Sequence, residues 1–153
     1  MTINIEQLTI SESDLVFEWI LKLLNELGEE SDDLGTLDRE AVLNDWRNIN
    51  DGFFVLIARN ESGSMLGILT LAIGFAIYAN GNYGVINEMY VAPEARSQGI
   101  GEALIKAAIV LGREHNWSRI DVTAPESERW LRSRRFYEKQ GFTFAGPKLK
   151  IML

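Results

Sequence analysis

The chain has 153 residues, 46% of them hydrophobic and 24% charged, with a formal net charge of -7 at pH 7; this composition can fill the core of one domain and excludes a disordered chain. Cysteine is absent, which excludes disulfides, thiolate nucleophiles and zinc–thiolate sites. Because no apolar run reaches the roughly 18 residues of a membrane span and no secretory signal pattern opens the sequence, we expect a soluble, cytoplasmic protein with no membrane partner.

The first third of the chain is predicted to form one strand and two helices. Residues 2–10 alternate between apolar and polar side chains, as an edge strand does. Ser11 and Ser13 are suitable caps for a following helix that runs to about residue 27. An acidic loop comes next, and apolar residues at helical spacing then predict a second, shorter helix over residues 39–49.

Three apolar runs in the middle of the chain predict antiparallel strands. Turn residues such as asparagine and glycine separate the runs, which is typical of hairpins. The runs cover residues 53–59, 65–77 and 83–91. After the third strand, apolar residues at helical spacing over residues 99–115 predict a long helix.

The last third of the chain is predicted to add a strand, a helix and two final strands. They cover residues 118–124, 128–140, 142–144 and 149–152. The predicted order is therefore β-α-α-β-β-β-α-β-α-β-β, in which a meander is followed by strand–helix–strand units that must join parallel strands. No repeat, linker or low-complexity segment divides the chain, so we expect a single mixed α/β (α+β) domain over residues 1–153.

The strongest chemical signal is a glycine-rich loop before the long helix. It contains, in order, Arg96, Ser97, Gln98, Gly99, Ile100 and Gly101. Glycine at a helix start lets the backbone approach a ligand, the free N–H groups there favour an anion, and the arginine adds a positive charge. The loop lacks the third glycine of a dinucleotide fingerprint and the lysine of a Walker loop, and a plain strand-to-helix turn remains the alternative.

Two segments resemble signatures of the GNAT superfamily of N-acetyltransferases. Residues 87–101, NEMYVAPEARSQGIG, are similar to its acetyl-CoA-binding motif, in which Gln/Arg-x-x-Gly-x-Gly/Ala is filled by Arg96, Gly99 and Gly101. Residues 135–142, RFYEKQGF, are similar to the family helix that ends in Phe-Tyr-Glu-Lys-x-Gly-Phe. The order of the predicted elements also matches the family over nearly the whole chain.

The resemblance implies an acyl-CoA N-acyltransferase fold and an N-acetyltransferase that uses acetyl-CoA as co-substrate and needs no metal. The loop over residues 96–101 would bind the pyrophosphate of acetyl-CoA. The strand that carries Met89, Tyr90 and Val91 would pair its backbone with the pantetheine arm. The strand at residues 120–124 would splay away from it and open a wedge for the thioester.

Acetyl transfer by direct attack of an amine needs a neutral amine, a stabilised oxyanion and a protonated leaving thiolate. Glu88 is the candidate base, and a strand glutamate that faces solvent is the alternative. Tyr137 is the candidate acid, which the resemblance places near the thioester sulfur, and a tyrosine packed in the core is the alternative. A backbone N–H of the strand that carries Met89 would hold the oxyanion.

Trp130 departs from the family pattern, because the family helix usually has asparagine at that place. This departure favours a second interpretation, a non-catalytic acyl-CoA-binding sensor or assembly module. The presence of Glu88 and Tyr137 favours an enzyme. His115 is the only histidine, and we expect it to be exposed and structural at a helix end.

The distribution of charge along the chain indicates which kind of amine would accept the acetyl group. Residues 1–95 carry 16 acidic and 4 basic side chains, whereas residues 96–153 carry 6 acidic and 11 basic ones. The acceptor site of the family is usually built from the acidic part, whose first interhelical loop contains Glu29, Glu30, Asp32 and Asp33. We therefore expect a cationic acceptor, such as a polyamine, an aminoglycoside-like amine or a basic peptide end, with a solvated acidic loop as the alternative. Nucleic acid is not an expected partner of so acidic a chain, and a homodimer through the C-terminal strands is open by resemblance.

Overall fold

A computed structural model of the protein describes residues 2–28, 37–124 and 131–153. In chain order its elements are β1 (Asn4–Leu8), α1 (Ser13–Leu27), α2 (Arg39–Ile49), β2 (Phe53–Arg59), β3 (Met65–Ala76), β4 (Gly81–Val91), α3 (Ile100–Glu114), β5 (Ile120–Val122) and α4 (Leu131–Lys139). They form two compact units, Met1–Asp121 and Val122–Leu153. Within these described ranges, no helix is both long and apolar enough to cross a membrane.

The five strands form one mixed sheet in the order β1-β2-β3-β4-β5, which confirms the predicted α/β fold class. The strands β1 to β4 are antiparallel to their neighbours, as the predicted meander requires. Asn60 closes the β2–β3 hairpin, because its side-chain oxygen accepts hydrogen bonds from the N–H groups of Ser62 (3.1 Å) and Ser64 (2.9 Å).

Helix α1 begins differently from the prediction. The N–H of Thr9 donates to the Glu12 carboxylate at 2.7 Å, and a short 3₁₀ turn, Ile10–Glu12, leads into the helix. Thr9 and Glu12 have the three-residue spacing of a capping box, which occupies the donors of a helix start. The prediction that Ser11 or Ser13 caps the helix is therefore wrong.

Both faces of the sheet are covered by helices, and the strand register decides which helix a side chain meets. Gly67 of β3 faces α3, because a side chain there would lie 3.1 Å from the Ile100 side chain. Ile68 lies opposite Tyr90, whose ring contacts the Trp19 ring of α1 edge to face at 5.9 Å. Since successive side chains point to opposite faces, even-numbered positions of this part of β3 face α1 and odd-numbered positions face α3.

Strand β4 carries one extra residue relative to β3. Thr70 lies opposite Glu88, but Leu71 lies opposite Ile86, so Asn87 is the extra residue of a β-bulge. Directly opposed residues share a face of the sheet. Glu88 therefore lies on the α1 face with Thr70, whereas Ile86 lies on the α3 face with Leu71. Without the bulge, Ile86 and Glu88 would share one face because they are two residues apart.

The end of α3 places the ring of Trp117 between two glycines. Asn116 has a φ of 58°, and the N–H of Trp117 donates to the Gly112 carbonyl at 2.9 Å, which closes the helix as a Schellman motif does. A side chain at Gly84 of β4 would lie 2.5 Å from the Trp117 ring, and one at Gly112 would lie 3.1 Å from it. The close approach of the ring therefore requires the absence of a side chain at Gly84.

The two strands predicted near the C-terminus are absent from the structure. Residues 142–153 form no strand in the structure, so the strands predicted over residues 142–144 and 149–152 are not formed. The side chains of Phe144 and Leu149 are 76% and 90% exposed. The apolar pattern predicts which side chains a strand would bury, but a strand also needs a neighbour for its N–H and C=O groups, and the pattern does not supply one.

Replacement of Gly84 by alanine should destabilise the protein, because the new methyl group would overlap the Trp117 ring. We expect the free energy of unfolding to fall by about 1–3 kcal/mol, the usual cost of overpacking a core. Gly52→Ala is the matched control, since a side chain there would meet only the exposed side chain of Ile49, whose Cγ1 would lie at 3.3 Å. Urea denaturation compares the two variants, and equal stability losses would contradict the proposed contact.

Candidate active site

The loop between β4 and α3 presents backbone N–H groups at a helix start. Ser97 and Gly99 have φ angles of 64° and 83°, and this left-handed backbone turns the chain into the helix. The N–H of Ala103 donates to the Gly99 carbonyl at 3.0 Å. The N–H groups of Ile100 and Gly101 precede that bond and have no acceptor within the helix. With the helix dipole they favour an anion, as the sequence predicts.

Two side chains of the loop bind other parts of the protein. The Nε2 of Gln98 donates to the Glu94 carbonyl at 3.1 Å. The side chain of Ile100 is buried against Gly67 and fixes the start of α3 on the sheet. Ile100, which the resemblance assigns to the cofactor, can therefore offer a ligand its backbone N–H but not its side chain.

Arg96 is bound by three groups of the protein. Its Nη2 donates to Oε2 of Glu26 in α1 at 2.6 Å, its Nε donates to the Val91 carbonyl at 3.0 Å, and its guanidinium lies over the Tyr90 ring at 5.6 Å. The hydrogen bond with Glu26 is the largest cause of a raised pKa at Arg96. The sequence predicts that Arg96 adds a positive charge at the loop, and the structure pairs that charge with the Glu26 carboxylate, which joins α1 to the end of β4.

The backbone of β4 offers N–H groups on the edge that faces away from β3. The N–H of Ala92 donates to the Leu66 carbonyl beside β3 at 2.9 Å. Because the N–H groups of an extended strand alternate between its two edges, those of Met89 and Val91 point away from β3. This edge ends at the glycine-rich loop, so both sets of N–H groups belong to one region of the first unit.

Glu88 is a half-buried carboxylate on the α1 face of the sheet. Its Oε2 accepts a hydrogen bond from the Thr70 hydroxyl, and its own N–H donates to the same hydroxyl oxygen at 3.2 Å. Burial raises the pKa of Glu88 above its ordinary value of 4.5, because loss of water disfavours the charged form, and the bond from Thr70 offsets part of this rise. A raised pKa makes Glu88 a stronger base than an exposed carboxylate.

Glu88 and Thr70 line a cavity of about 110 Å³ between α1, α2 and the sheet. The other residues that line it are aliphatic or aromatic. They are Val16, Phe17, Ile20, Leu37, Val42, Trp46 and Phe53. The rings of Trp46 and Phe53 meet edge to face at 5.1 Å. Among the residues described, Glu88 is therefore the one ionisable group that lines this small apolar cavity.

Tyr137 lies near the end of α4, in the second unit. The N–H of Phe142 donates to the Tyr137 carbonyl at 3.1 Å, and the N–H of Gly141, whose φ is 104°, donates to the Glu138 carbonyl at 3.0 Å, which together form a Schellman motif. The Tyr137 ring contacts the rings of Phe136 and Phe142 edge to face, at 5.4 and 5.7 Å. Burial raises the pKa of Tyr137 to about 12, so its hydroxyl stays protonated at neutral pH and can donate a hydrogen bond to an anion, but the same rise makes it a weaker acid.

The sequence also led to expectations for His115, for Trp130 and for the acidic loop between the first two helices. His115 is exposed and structural as expected: its Nδ1 lies 2.9 Å from the Leu111 carbonyl, and its ring contacts those of Phe54 and Trp117. The expectations for Trp130 and for the acidic residues Glu29, Glu30, Asp32 and Asp33 lie outside the described residues. Among the described residues, no cluster of three or more histidine and acidic side chains could hold a metal ion.

The sequence motifs do not point to Thr70, to Glu26 or to the aromatic pair Trp46 and Phe53 that lines the cavity. Thr70 does leave a signal, because it is a lone hydroxyl in an otherwise apolar strand and is 1% exposed. Such a group needs a partner, which is Glu88 here. Glu26 leaves none, since Arg96 is 70 positions away. Trp46 and Phe53 are typical core residues by pattern, and only the fold shows that a cavity separates them from α1.

Comparisons with known proteins agree on one family. The sequence model of the acetyltransferase (GNAT) family matches residues 17–142. An uncharacterized N-acetyltransferase of Archaeoglobus fulgidus is 29% identical to this chain over 103 residues, which cover 61% of this chain and 69% of that protein.

Solved structures have the same fold at low sequence identity. An aminoglycoside acetyltransferase from an uncultured soil metagenomic sample superposes with a TM-score of 0.81 at 22% identity, covering 100% of this chain and 99% of that one. A predicted acetyltransferase from Clostridium acetobutylicum, crystallised with acetyl-CoA, superposes with a TM-score of 0.76 at 20% identity, covering 99% of this chain and 96% of that one.

Replacement of Glu88 by glutamine should change how stability depends on pH. A carboxyl whose pKa is raised in the folded protein holds its proton more tightly there than in the unfolded chain, so stability falls as the pH rises from 4.5 to the raised pKa. The glutamine variant lacks this loss. Urea denaturation at several pH values should therefore show Glu88→Gln gaining stability relative to the unchanged protein across that window.

Thr70→Val is the companion variant, because it removes the hydrogen bond that lowers the pKa of Glu88. The pH window of falling stability should extend further upward in this variant. A pH-independent stability difference between Glu88→Gln and the unchanged protein would show that the pKa of Glu88 is not raised.

Proposed function

The chain belongs to the acetyltransferase (GNAT) family and is an N-acetyltransferase, and from that premise we propose that it transfers the acetyl group of acetyl-CoA to a primary amine by direct attack within a ternary complex. The whole chain acts as one acetyltransferase domain. The observation that carries the proposal is the position of Glu88, a base in an apolar cavity on the strand that leads into the anion-binding loop.

The loop and the edge of β4 supply the donor site in this proposal. The N–H groups at the start of α3 would bind the pyrophosphate of acetyl-CoA, for which the open space at Gly99 leaves room. The N–H groups of Met89 and Val91 would pair with the pantetheine arm as an added strand does. Acetyl-CoA is present in the crystal structure of the relative from Clostridium acetobutylicum, which supports this assignment of the donor.

Glu88 would take the proton of the attacking amine. An alkyl ammonium has a pKa of about 10, so its deprotonation at pH 7 costs about 4 kcal/mol, and a base with a raised pKa lowers that cost at the moment of attack. The apolar cavity also strengthens the attraction between the carboxylate and the ammonium group that enters it. The acceptor is thus cationic in solution and neutral when it reacts.

The bonds and protons of the transfer balance without a further reactant. The amine nitrogen forms a bond to the acetyl carbon, and the bond between that carbon and the sulfur of CoA breaks. A backbone N–H of Met89 or Val91 would donate to the oxyanion that forms between these steps. Glu88 would take one proton of the ammonium group and release it to water. Tyr137 would donate its proton to the leaving thiolate and regain the second proton, which the nitrogen loses as the amide forms. The products are then the amide, the CoA thiol and one proton.

The nature of the relatives supports a cationic acceptor. One solved relative is an aminoglycoside acetyltransferase crystallised with sisomicin, with a TM-score of 0.77 at 19% identity. The acidic N-terminal part of this chain, with four carboxylates between residues 29 and 33, would attract such cations. A non-catalytic acyl-CoA-binding module is the second candidate, and the departure at Trp130 is the feature that favours it.

A thiol-release assay tests the proposal directly. The chain contains no cysteine, so every thiol that a disulfide dye detects comes from CoA. We expect release that depends on an added amine, with kcat lowered about 100-fold or more in Glu88→Gln and in Tyr137→Phe, the usual contribution of a proton-transfer group.

Glu61→Gln and Tyr78→Phe are the matched controls, because both side chains are exposed and outside the proposed site. They should retain full activity. Tight binding of acetyl-CoA with no thiol release from any amine would refute the enzyme and favour the binding module.

Replacement of Glu26 by glutamine should strengthen the binding of acetyl-CoA. The change leaves the charge of Arg96 uncompensated beside the loop, so we expect affinity to rise about two- to fivefold at low ionic strength and the gain to shrink with added salt. Isothermal titration with acetyl-CoA measures it. Glu6→Gln breaks a comparable pair with Arg59 (2.9 Å) and should leave affinity unchanged; weaker binding in Glu26→Gln would instead make the ion pair necessary for the loop.

A further inference from the structure

We infer that the acceptor of this protein is a monoamine with a compact hydrocarbon body, which the cavity around Glu88 holds while the carboxylate receives the amine. The inference rests on the proposed function, since it assumes that Glu88 meets the amine. It narrows the broad class of cationic acceptors to those whose body beyond the ammonium group is apolar.

The lining of the cavity selects for an apolar body. Val16 and Ile20 of α1, Val42 of α2, and Trp46 with Phe53 present hydrocarbon or aromatic surface to its interior. A hydrocarbon body placed there leaves water without losing any hydrogen bond, and its burial is favourable in proportion to its area. A hydroxylated body would lose its hydrogen bonds to water and find few partners in return.

The polar groups of the cavity are already engaged with each other. The Thr70 hydroxyl donates to the Glu88 carboxylate, and the N–H of Glu88 donates to the same hydroxyl oxygen. The Thr70 side chain is 1% exposed, so water does not replace these bonds easily. The carboxylate keeps capacity for one ammonium group. Among the lining residues that the structure describes, there is no second carboxylate for a second ammonium group.

The size of the cavity limits the body to a few carbon atoms. Its volume of about 110 Å³ is below that of the ~150 Å³ apolar cavity that binds benzene in an engineered protein. A short branched alkyl group is compatible with this volume, whereas a six-membered aromatic ring exceeds it. A linked series of sugar rings exceeds it, and most of such a molecule would lie outside.

An amine panel tests the inference with the full-length protein. We would measure kcat/KM by thiol release with saturating acetyl-CoA, expressed per concentration of unprotonated amine so that differences in amine pKa cancel. The apolar probes are isobutylamine and isopentylamine, and the polar probes are glucosamine and putrescine. We expect kcat/KM to be at least about tenfold higher for the apolar pair, because a few methylene groups in a hydrophobic site are worth this much.

Val42→Thr adds a test that a loss of folding cannot mimic. It exchanges one methyl group of the cavity wall for a hydroxyl, and Val110→Thr makes the same exchange on the exposed surface of α3, where Val110 is 52% exposed. In Val42→Thr the ratio of kcat/KM for isopentylamine to that for glucosamine should fall about three- to fivefold. In Val110→Thr this ratio should stay unchanged.

The outcomes separate the inference from the proposed function. If the polar amines react as well as the apolar ones or better, the protein is still an N-acetyltransferase and the inference is wrong. If the ratio is the same in Val42→Thr and Val110→Thr, the cavity does not hold the acceptor body, and the inference is also wrong. If no amine of either kind releases thiol, the proposed function fails and the inference fails with it.

Discussion

The arrangement of the site depends on one backbone irregularity, the extra residue at position 87 of β4. Up to Ile86 the strand directs its even-numbered side chains at α3, and after the bulge it directs them at α1. The same irregularity therefore decides that Glu88 enters the cavity between the first two helices and that Tyr90 meets Trp19. It also comes just before the strand edge and the loop, so the carboxylate and the backbone donors are positioned by one continuous segment.

In the glycine-rich loop, the backbone and the side chains have different roles. Its N–H groups are directed to the space at the helix start, while the side chains of Arg96, Gln98 and Ile100 hold the loop to α1, to its own backbone and to the sheet. A loop held in this way keeps its donors oriented before a ligand arrives, which lowers the entropic cost of binding. In the proposed donor site, Arg96 would contribute through the shape of the loop, because its own charge is shared with Glu26.

Local patterns predict the elements of this fold well, since helical and strand periodicity and turn residues are properties of neighbouring residues. The family motifs also place Glu88 on a strand before the loop. Periodicity does not reveal the bulge, because Ile86 and Glu88 lie on faces that are both covered, so an apolar or half-buried side chain is acceptable on either side. The partners of Arg96 and Thr70 are equally hidden, since each pairing joins residues far apart in the chain. The two C-terminal strands fail for a different reason. Their local apolar pattern is typical of strands, but no neighbouring strand pairs with their backbone.

The ring of Trp117 between Gly84 and Gly112 has a consequence for the order of folding. The hairpins β2–β3 and β3–β4 and the turn at Asn116 use neighbouring residues, so their loops close at small entropic cost. The contact between Gly84 and Trp117 joins the start of β4 to the chain beyond α3, and it forms only when the whole helix has docked on the sheet. Because non-local contacts are slow to form, we expect this docking to follow the two hairpins and to bring the N-terminal end of α3 onto the sheet.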